Sequence, residues 1–244
     1  MPLHPQCKAF LDLLASHGGP PIEQLPVADA RGVALAMREF GHPVQDVASV
    51  DDRTIAADGR AIPVRVYRPS ADDRLPALMF FHGGGFVLGD LDSHDRECRA
   101  LANASGCVVI AVDYRRPPEH RFPAAPEDCY AATRYVADHP QEFGIDAARL
   151  GVAGDSAGGN LAAAVTLMAR ERGGPRLAFQ LLIYPGVDLD DYEQPSMREY
   201  GHDHFLTLEA MEWFDTQYAP TRDERRHPQR PASPPSRRRP FPPG

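Results

Sequence analysis

Long hydrophobic runs are missing from this 244-residue chain. No stretch of about 18 apolar residues occurs, so a membrane-spanning helix is not expected. The N-terminus, MPLHPQCKAFLDLLASHGG, has no basic segment ahead of a long apolar one and does not read as a secretory signal. Cysteine is scarce: Cys7, Cys98, Cys107 and Cys129 are scattered, with no CxxC pair. Reduced, mostly buried thiols and a cytoplasmic setting are expected. No paired Cys or His residues have the spacing of a zinc site, and neither metal nor cofactor is expected. A phosphate-cradling G-x-x-x-x-G-K-[ST] motif is also absent.

Basic charge is short over most of the chain. The net charge is −8, yet residues 225–244 hold six arginines and no acid. The first 224 residues therefore carry 20 basic against 34 acidic residues, or −14. Such an acidic body argues against nucleic-acid binding. With 43% hydrophobic and 25% charged residues the composition is that of an ordinary globular protein, long enough for one sizeable domain and a small cap.

Residues 1–45 read as helical and cap-like. Phe10, Leu11, Leu13 and Leu14 cluster at helical spacing, Gly18-Gly19-Pro20-Pro21 interrupts, and Val27 to Phe40 resumes a helix. Val47 to Arg68 alternates as strands do, with Asp58-Gly59 as a hairpin turn. Beyond Leu75 the apolar runs PALMFF, CVVIAV, RLGVAG and AFQLLIY are continuous, the pattern of strands buried on both faces of a parallel sheet. Helices are expected between them at about 93–105, 126–138 and 157–171, which predicts an open, mostly parallel α/β sheet with helices on both faces. Residues 186–206 are polar and loop-like, and Leu208 to Tyr218 reads as a helix with Thr207 as its N-cap. Residues 46–222 would form the core. From 223 to 244 the chain becomes a Pro/Arg-rich segment, with seven prolines after residue 224, that cannot bury enough surface to offset its ordering entropy.

Two motifs carry chemistry. Gly154-Asp155-Ser156-Ala157-Gly158 has the form G-x-S-x-G. Three fixed residues would arise somewhere in such a chain with a probability of about 0.1, so the pattern needs its context. That context is an apolar strand before it and a helix after it, the strand–turn–helix setting of a nucleophile elbow. Ser156 is the candidate nucleophile, and the helix N-terminus would stabilise negative charge beside it. The second motif, His82-Gly83-Gly84-Gly85-Phe86, follows the strand PALMFF. Its glycines would let backbone amides of Gly83, Gly84 and Gly85 face an oxyanion together with the amide of Ala157. His82 and Asp155 are expected to support these loops rather than to act as catalytic bases. In DYRRPPEHRFPAA the neighbours Glu119 and His120 precede the nucleophile and read as structural.

HGGGFVLGDLDSHD, DYRRPPEHRFPAAPEDCY, GDSAGGNLAA and FQLLIYPGVDL together resemble the hormone-sensitive-lipase-like (family IV) bacterial esterases of the α/β-hydrolase superfamily. The resemblance runs to about residue 222. It implies an α/β-hydrolase fold with an N-terminal helical cap, and hydrolysis of short to medium acyl esters without cofactor. Ser156 would be the nucleophile, with Gly84, Gly85 and Ala157 as oxyanion donors. The expected partner is a small acyl ester, with no membrane or nucleic acid; the oligomeric state stays open, pairing of intact relatives as homodimers included.

The family's acid and base segments, DPLxD-like and HGF-like, do not occur here. After Ser156 the only histidines are His202, His204 and His227; acids before them include Asp188, Asp190, Asp191, Glu193 and Glu199. A further βαβ unit needs about 30 residues, and the end of the chain is Pro/Arg-rich. His202 and His204 are therefore expected at the cap or surface. The chain reads as a truncated or frame-shifted esterase that lacks its last strands and turns over weakly. A non-catalytic binding protein on the same fold, or an amidase-type acyl hydrolase, are the alternatives.

Overall fold

The computed structural model describes residues 3–187 and 192–226. Its centre is a six-stranded sheet in the order β1-β2-β4-β3-β5-β6. Strands β1 (Ser49–Ala57) and β2 (Arg60–Arg68) form the expected antiparallel hairpin. Its two turn residues, Asp58 and Gly59, both have positive φ (50° and 72°). That is the backbone a two-residue hairpin demands, and Asp-Gly meets it with little strain.

Strand β3 (Leu75–Phe81) runs parallel to both its neighbours, β4 (Val108–Val112) and β5 (Ile145–Asp155); β6 (Gln180–Ile183) extends the parallel part from β5. The unbroken apolar run of β3 is explained by burial on both sides of the pleat. Ala77, Met79 and Phe81 join the core beneath α4 (Ala124–Asp138) and α5 (Ala157–Glu171). Leu78 and Phe80 face the smaller core under α3 (Asp95–Ser105), with Cys98 and Ala102. Cys98, Cys107 and Cys129 are buried and unpaired; Cys7 is exposed and unpaired.

The N-terminal region is α1 (Pro5–His17) and α2 (Val27–Ala36), the latter ending in a 3-10 turn at Met37–Phe40 rather than continuing as one helix. Residues 186–206, expected as loop, contain a short helix, α6 (Pro195–Tyr200). Helix α7 (Leu208–Tyr218) begins at Thr207, whose hydroxyl accepts from the Ala210 amide. A last turn, α8 (Arg222–Arg225), spans the expected boundary at 223; residues 227–244 lie outside the described residues. No described helix is long and apolar enough to cross a membrane.

The chain leaves β3 for β4 on one side and returns through α4 to β5 on the other. Loops after β3 and β5 thus diverge at the carboxyl edge of the sheet, where open α/β sheets form their ligand crevice.

Candidate active site

Ser156 sits at the junction of β5 and α5, in the N-cap position of the helix, with φ 51° and ψ −116°. A positive φ is a strained backbone for serine, and such strain persists only where the surroundings enforce it. Here both backbone atoms are held. The Ser156 amide donates to Ile183 O at 2.9 Å, and its carbonyl accepts from Asn160 N and Gly186 N. The flanking glycines are required for close approach: a Cβ on Gly158 would overlap the Phe81 carbonyl, and one on Gly154 would overlap the backbone of Gly158. Neither has a positive φ, so space rather than conformation selects glycine at both places.

The loop after β3 faces this turn. Gly84 (φ 109°) and Gly85 (φ 60°) adopt backbones that favour glycine. The Gly84 carbonyl accepts from Val87 N and Leu88 N, which closes a tight turn. Within the described residues, the amides of Gly84, Gly85 and Ala157 have no hydrogen-bond acceptor. Gly83 differs. Its single N–H donates to Asp155 Oδ1 at 2.9 Å, so it cannot also serve an oxyanion. The donor set expected from the sequence is corrected on this point: Gly83 anchors the loop to the residue before the serine.

His82 is buried and turned into the loop. Its Nδ1 lies 2.9 Å from Gly83 O, and the Tyr114 hydroxyl donates to the His82 carbonyl at 2.7 Å beneath a stacked ring. Burial, with the nearby charge of His94, pushes the His82 imidazole down to about 3, so it is neutral at ordinary pH. Asp155 is the opposite case. Burial raises its carboxyl, but the His94 partner and the Gly83 amide hold it below the usual carboxylate value.

Elements remote in sequence complete the surroundings. From α2, Arg31 donates to Val87 O (3.0 Å), to Pro117 O (2.7 Å) and with both arms to Glu119 (2.8 Å each). That partner lowers the Glu119 carboxyl to about 2. Phe86 stacks on Tyr218 of α7 at 3.9 Å, and the Phe214 ring occupies the space a Cβ on Gly85 would need. At the end of β6, Tyr184 is 73% exposed at φ 36°.

Among the described residues no side chain hydrogen-bonds to Ser156 Oγ. His204 Nδ1 contacts the His202 carbonyl, and His202 is exposed beside Glu209. Asp188, Asp190, Asp191 and His227 lie outside the described residues. No group of three or more His, Cys, Asp or Glu side chains capable of holding a metal exists among those described. No local pattern in the sequence singles out Arg31, His94 or Phe214, since their partners are remote in the chain.

A strained serine between a parallel strand and a helix, faced by a glycine loop from the next strand, defines the α/β-hydrolase class of fold. Residues 78–243 match the family model described as alpha/beta hydrolase fold. The chain is 47% identical over 170 residues to Esterase LipI of Mycobacterium tuberculosis, covering 68% of this chain and 53% of that protein. It is 39% identical over 236 residues to Ethyl acetate hydrolase of Pseudomonas putida, covering 90% and 72%. The solved thermostable esterase from Pseudomonas putida ECU1011 superposes with a TM-score of 0.87 at 43% identity, covering 91% of this chain and 70% of that one. The chain belongs to the α/β-hydrolase fold family, in its hormone-sensitive-lipase-like branch. It spans about half the length of the first curated relatives it matches.

Proposed function

We propose that this chain is a serine carboxylesterase acting on short to medium acyl esters. The observation that carries the reading is the pairing of the strained Ser156 with three unengaged amides, those of Gly84, Gly85 and Ala157. Ser156 Oγ attacks the ester carbonyl, and the carbonyl oxygen, becoming an oxyanion, accepts hydrogen bonds from the three amides. The Oγ proton passes by way of water to the departing alkoxide, so that an alcohol leaves; a second water then adds to the acyl carbonyl and returns a proton to Oγ as the acid departs. The N-terminus of α5 adds favourable potential at the developing charge. The names of the relatives, esterases and an ethyl acetate hydrolase, support the substrate class.

The N-terminal helices act as a cap over this site. Arg31 links α2 to the glycine loop, and Phe10 of α1 reaches Phe205 across a ring separation of 6.2 Å. The free thiols support a reducing, cytoplasmic setting.

No described side chain takes the Ser156 proton. Where a triad member is removed, oxyanion and binding effects alone still leave about 10³–10⁴-fold catalysis over water. The test is p-nitrophenyl butyrate hydrolysis by wild type and Ser156→Ala. Loss of all enzymatic turnover in the variant supports the reading; equal rates with retained ligand binding overturn it in favour of a binding protein. Faster release from the matching anilide would assign an amidase instead.

A further inference from the structure

Between β3 and α3 the chain makes a run of polar contacts that ester hydrolysis, as set out above, leaves unused. It begins at Asp90, whose amide donates to Ser93 Oγ at 2.8 Å while its carbonyl accepts from the same hydroxyl at 2.9 Å. Ser93 Oγ lies 2.9 Å from His94 Nδ1. His94 Nε2 lies 3.5 Å from Asp155 Oδ1, the oxygen that accepts the Gly83 amide. The line ends one residue before Ser156.

Proton counting along this line favours a doubly protonated His94. A carbonyl oxygen only accepts, so the one hydroxyl proton of Ser93 points to Asp90 O. His94 Nδ1 must then bring its own proton to Ser93 Oγ. An ionised Asp155 also only accepts, and Nε2, 3.5 Å from its Oδ1, meets it favourably when it carries a second proton. With a neutral ring, one of the three contacts would set two lone pairs against each other.

We propose that His94 is a positioning residue for the Ser156 site: held as an imidazolium, it fixes Asp155, and through Asp155 the glycine loop, against the nucleophile turn. The inference rests on the reading of Ser156 as nucleophile. His94 touches no reacting atom. Its effect passes through the carboxylate to the Gly83 amide, and so to the spacing between Ser156 and the amides of Gly84 and Gly85.

The surroundings agree. Side-chain exposure of His94 is 19%, and burial by itself works against the charged ring. Asp155 on β5, Glu97 on α3 and Asp90 in the loop outweigh that and hold the imidazole above its ordinary 6.5. His82 is a further titratable neighbour, with ring centroids 5.5 Å apart; it stays neutral and adds no competing charge.

Three measurements on the full chain test this. In wild type labelled with ¹⁵N-histidine, His94 should show both ring nitrogens protonated at pH 6.5, with a midpoint above that value. Asp155→Asn should lower the midpoint by about 1 unit. A midpoint at or below 6.5, or one indifferent to Asp155→Asn, overturns the proposal, and the wild-type titration requires no variant to fold. His94→Gln should speed hydrogen exchange of the Gly83 amide about tenfold at an unchanged global melting temperature; unchanged exchange counts against it. For p-nitrophenyl butyrate, the same variant should lose about tenfold in kcat with KM within about twofold. Unaltered kcat sinks the positioning role. Turnover that survives Ser156→Ala sinks the esterase reading alone, and the two magnetic-resonance measurements then still decide on His94.

Discussion

Alanine exchanged for individual glycines separates two reasons for the residue. At Gly158 a Cβ would run into the Phe81 carbonyl, a backbone atom fixed inside the sheet. Gly158→Ala should cost about 3 kcal/mol or more in urea unfolding, because nothing nearby can yield. Gly32 lies within α2, with no atom inside 4 Å of an added Cβ and no positive φ. Gly32→Ala should therefore stabilise by about 0.5–1 kcal/mol through helix propensity. A destabilised Gly32→Ala would contradict the open face assigned to it. The buried histidine of the loop makes a pH prediction. His82 titrates near 3 when folded and near 6.5 when unfolded, so its neutral burial contributes fully above about 6.5. That contribution is lost as pH falls from 6.5 toward 3. Melting temperature should drop over this interval, and less steeply in His82→Gln.

What the sequence made legible at this scale follows from where the information lies. Ser156 and its glycines are readable because their spacing encodes contacts within one turn. Gly83 was misread as an oxyanion donor because its partner, Asp155, lies 72 residues away and no local pattern announces it. Arg31 is hidden for the same reason, its carboxylate partner being 88 residues on.

Elements show the same division. The Asp58-Gly59 hairpin and the Thr207 cap of α7 were readable because turn and cap chemistry are local. Helix α6 was not, since none of its residues is buried and no apolar stripe marks it. The start of β5 at Ile145 was also missed, because a register shift follows the Leu75–Ile145 pair and exposed Ala148 and Arg149 interrupt the run. Where α2 meets the glycine loop, the Arg31 guanidinium satisfies two backbone carbonyls and one carboxylate. Arg31→Ala leaves Val87 O and Pro117 O without that donor and should cost about 2 kcal/mol. Glu119→Gln removes only a carboxylate that is 54% exposed, and should cost about 1 kcal/mol or less. Calorimetric scans of the two variants check the ranking; equal losses would place the weight on the ion pair.

Across the whole molecule, the alternation of strands and helices announced the α/β class, but not the strand order. Nothing local distinguishes β4 from β5 as the neighbour on a given side of β3. That choice comes from crossover handedness and from which face each helix covers. Among the described residues β6 has one paired neighbour, β5, and it carries Leu181 at 38% exposure with Phe179 beside it at 45%. An apolar edge left unpaired among the described residues is a surface on which other chains pair. The protein should associate as its concentration rises, and Leu181→Lys should suppress this in light scattering without changing the far-ultraviolet spectrum. Undiminished association in the variant would locate the contact elsewhere.

That edge has a particular relation to Ser156. Ile183 O receives the Ser156 amide, and Gly186 N reaches the Ser156 carbonyl, so the segment leaving β6 clasps residue 156 by both of its backbone atoms. Peeling β6 from the sheet would open both clasps in one movement, and the strained torsion at residue 156 would be free to relax. The proposed nucleophile is in this sense a gauge fitted to the rim of the sheet. Fraying of that strand should therefore change the rate at which the Ser156 hydroxyl is modified.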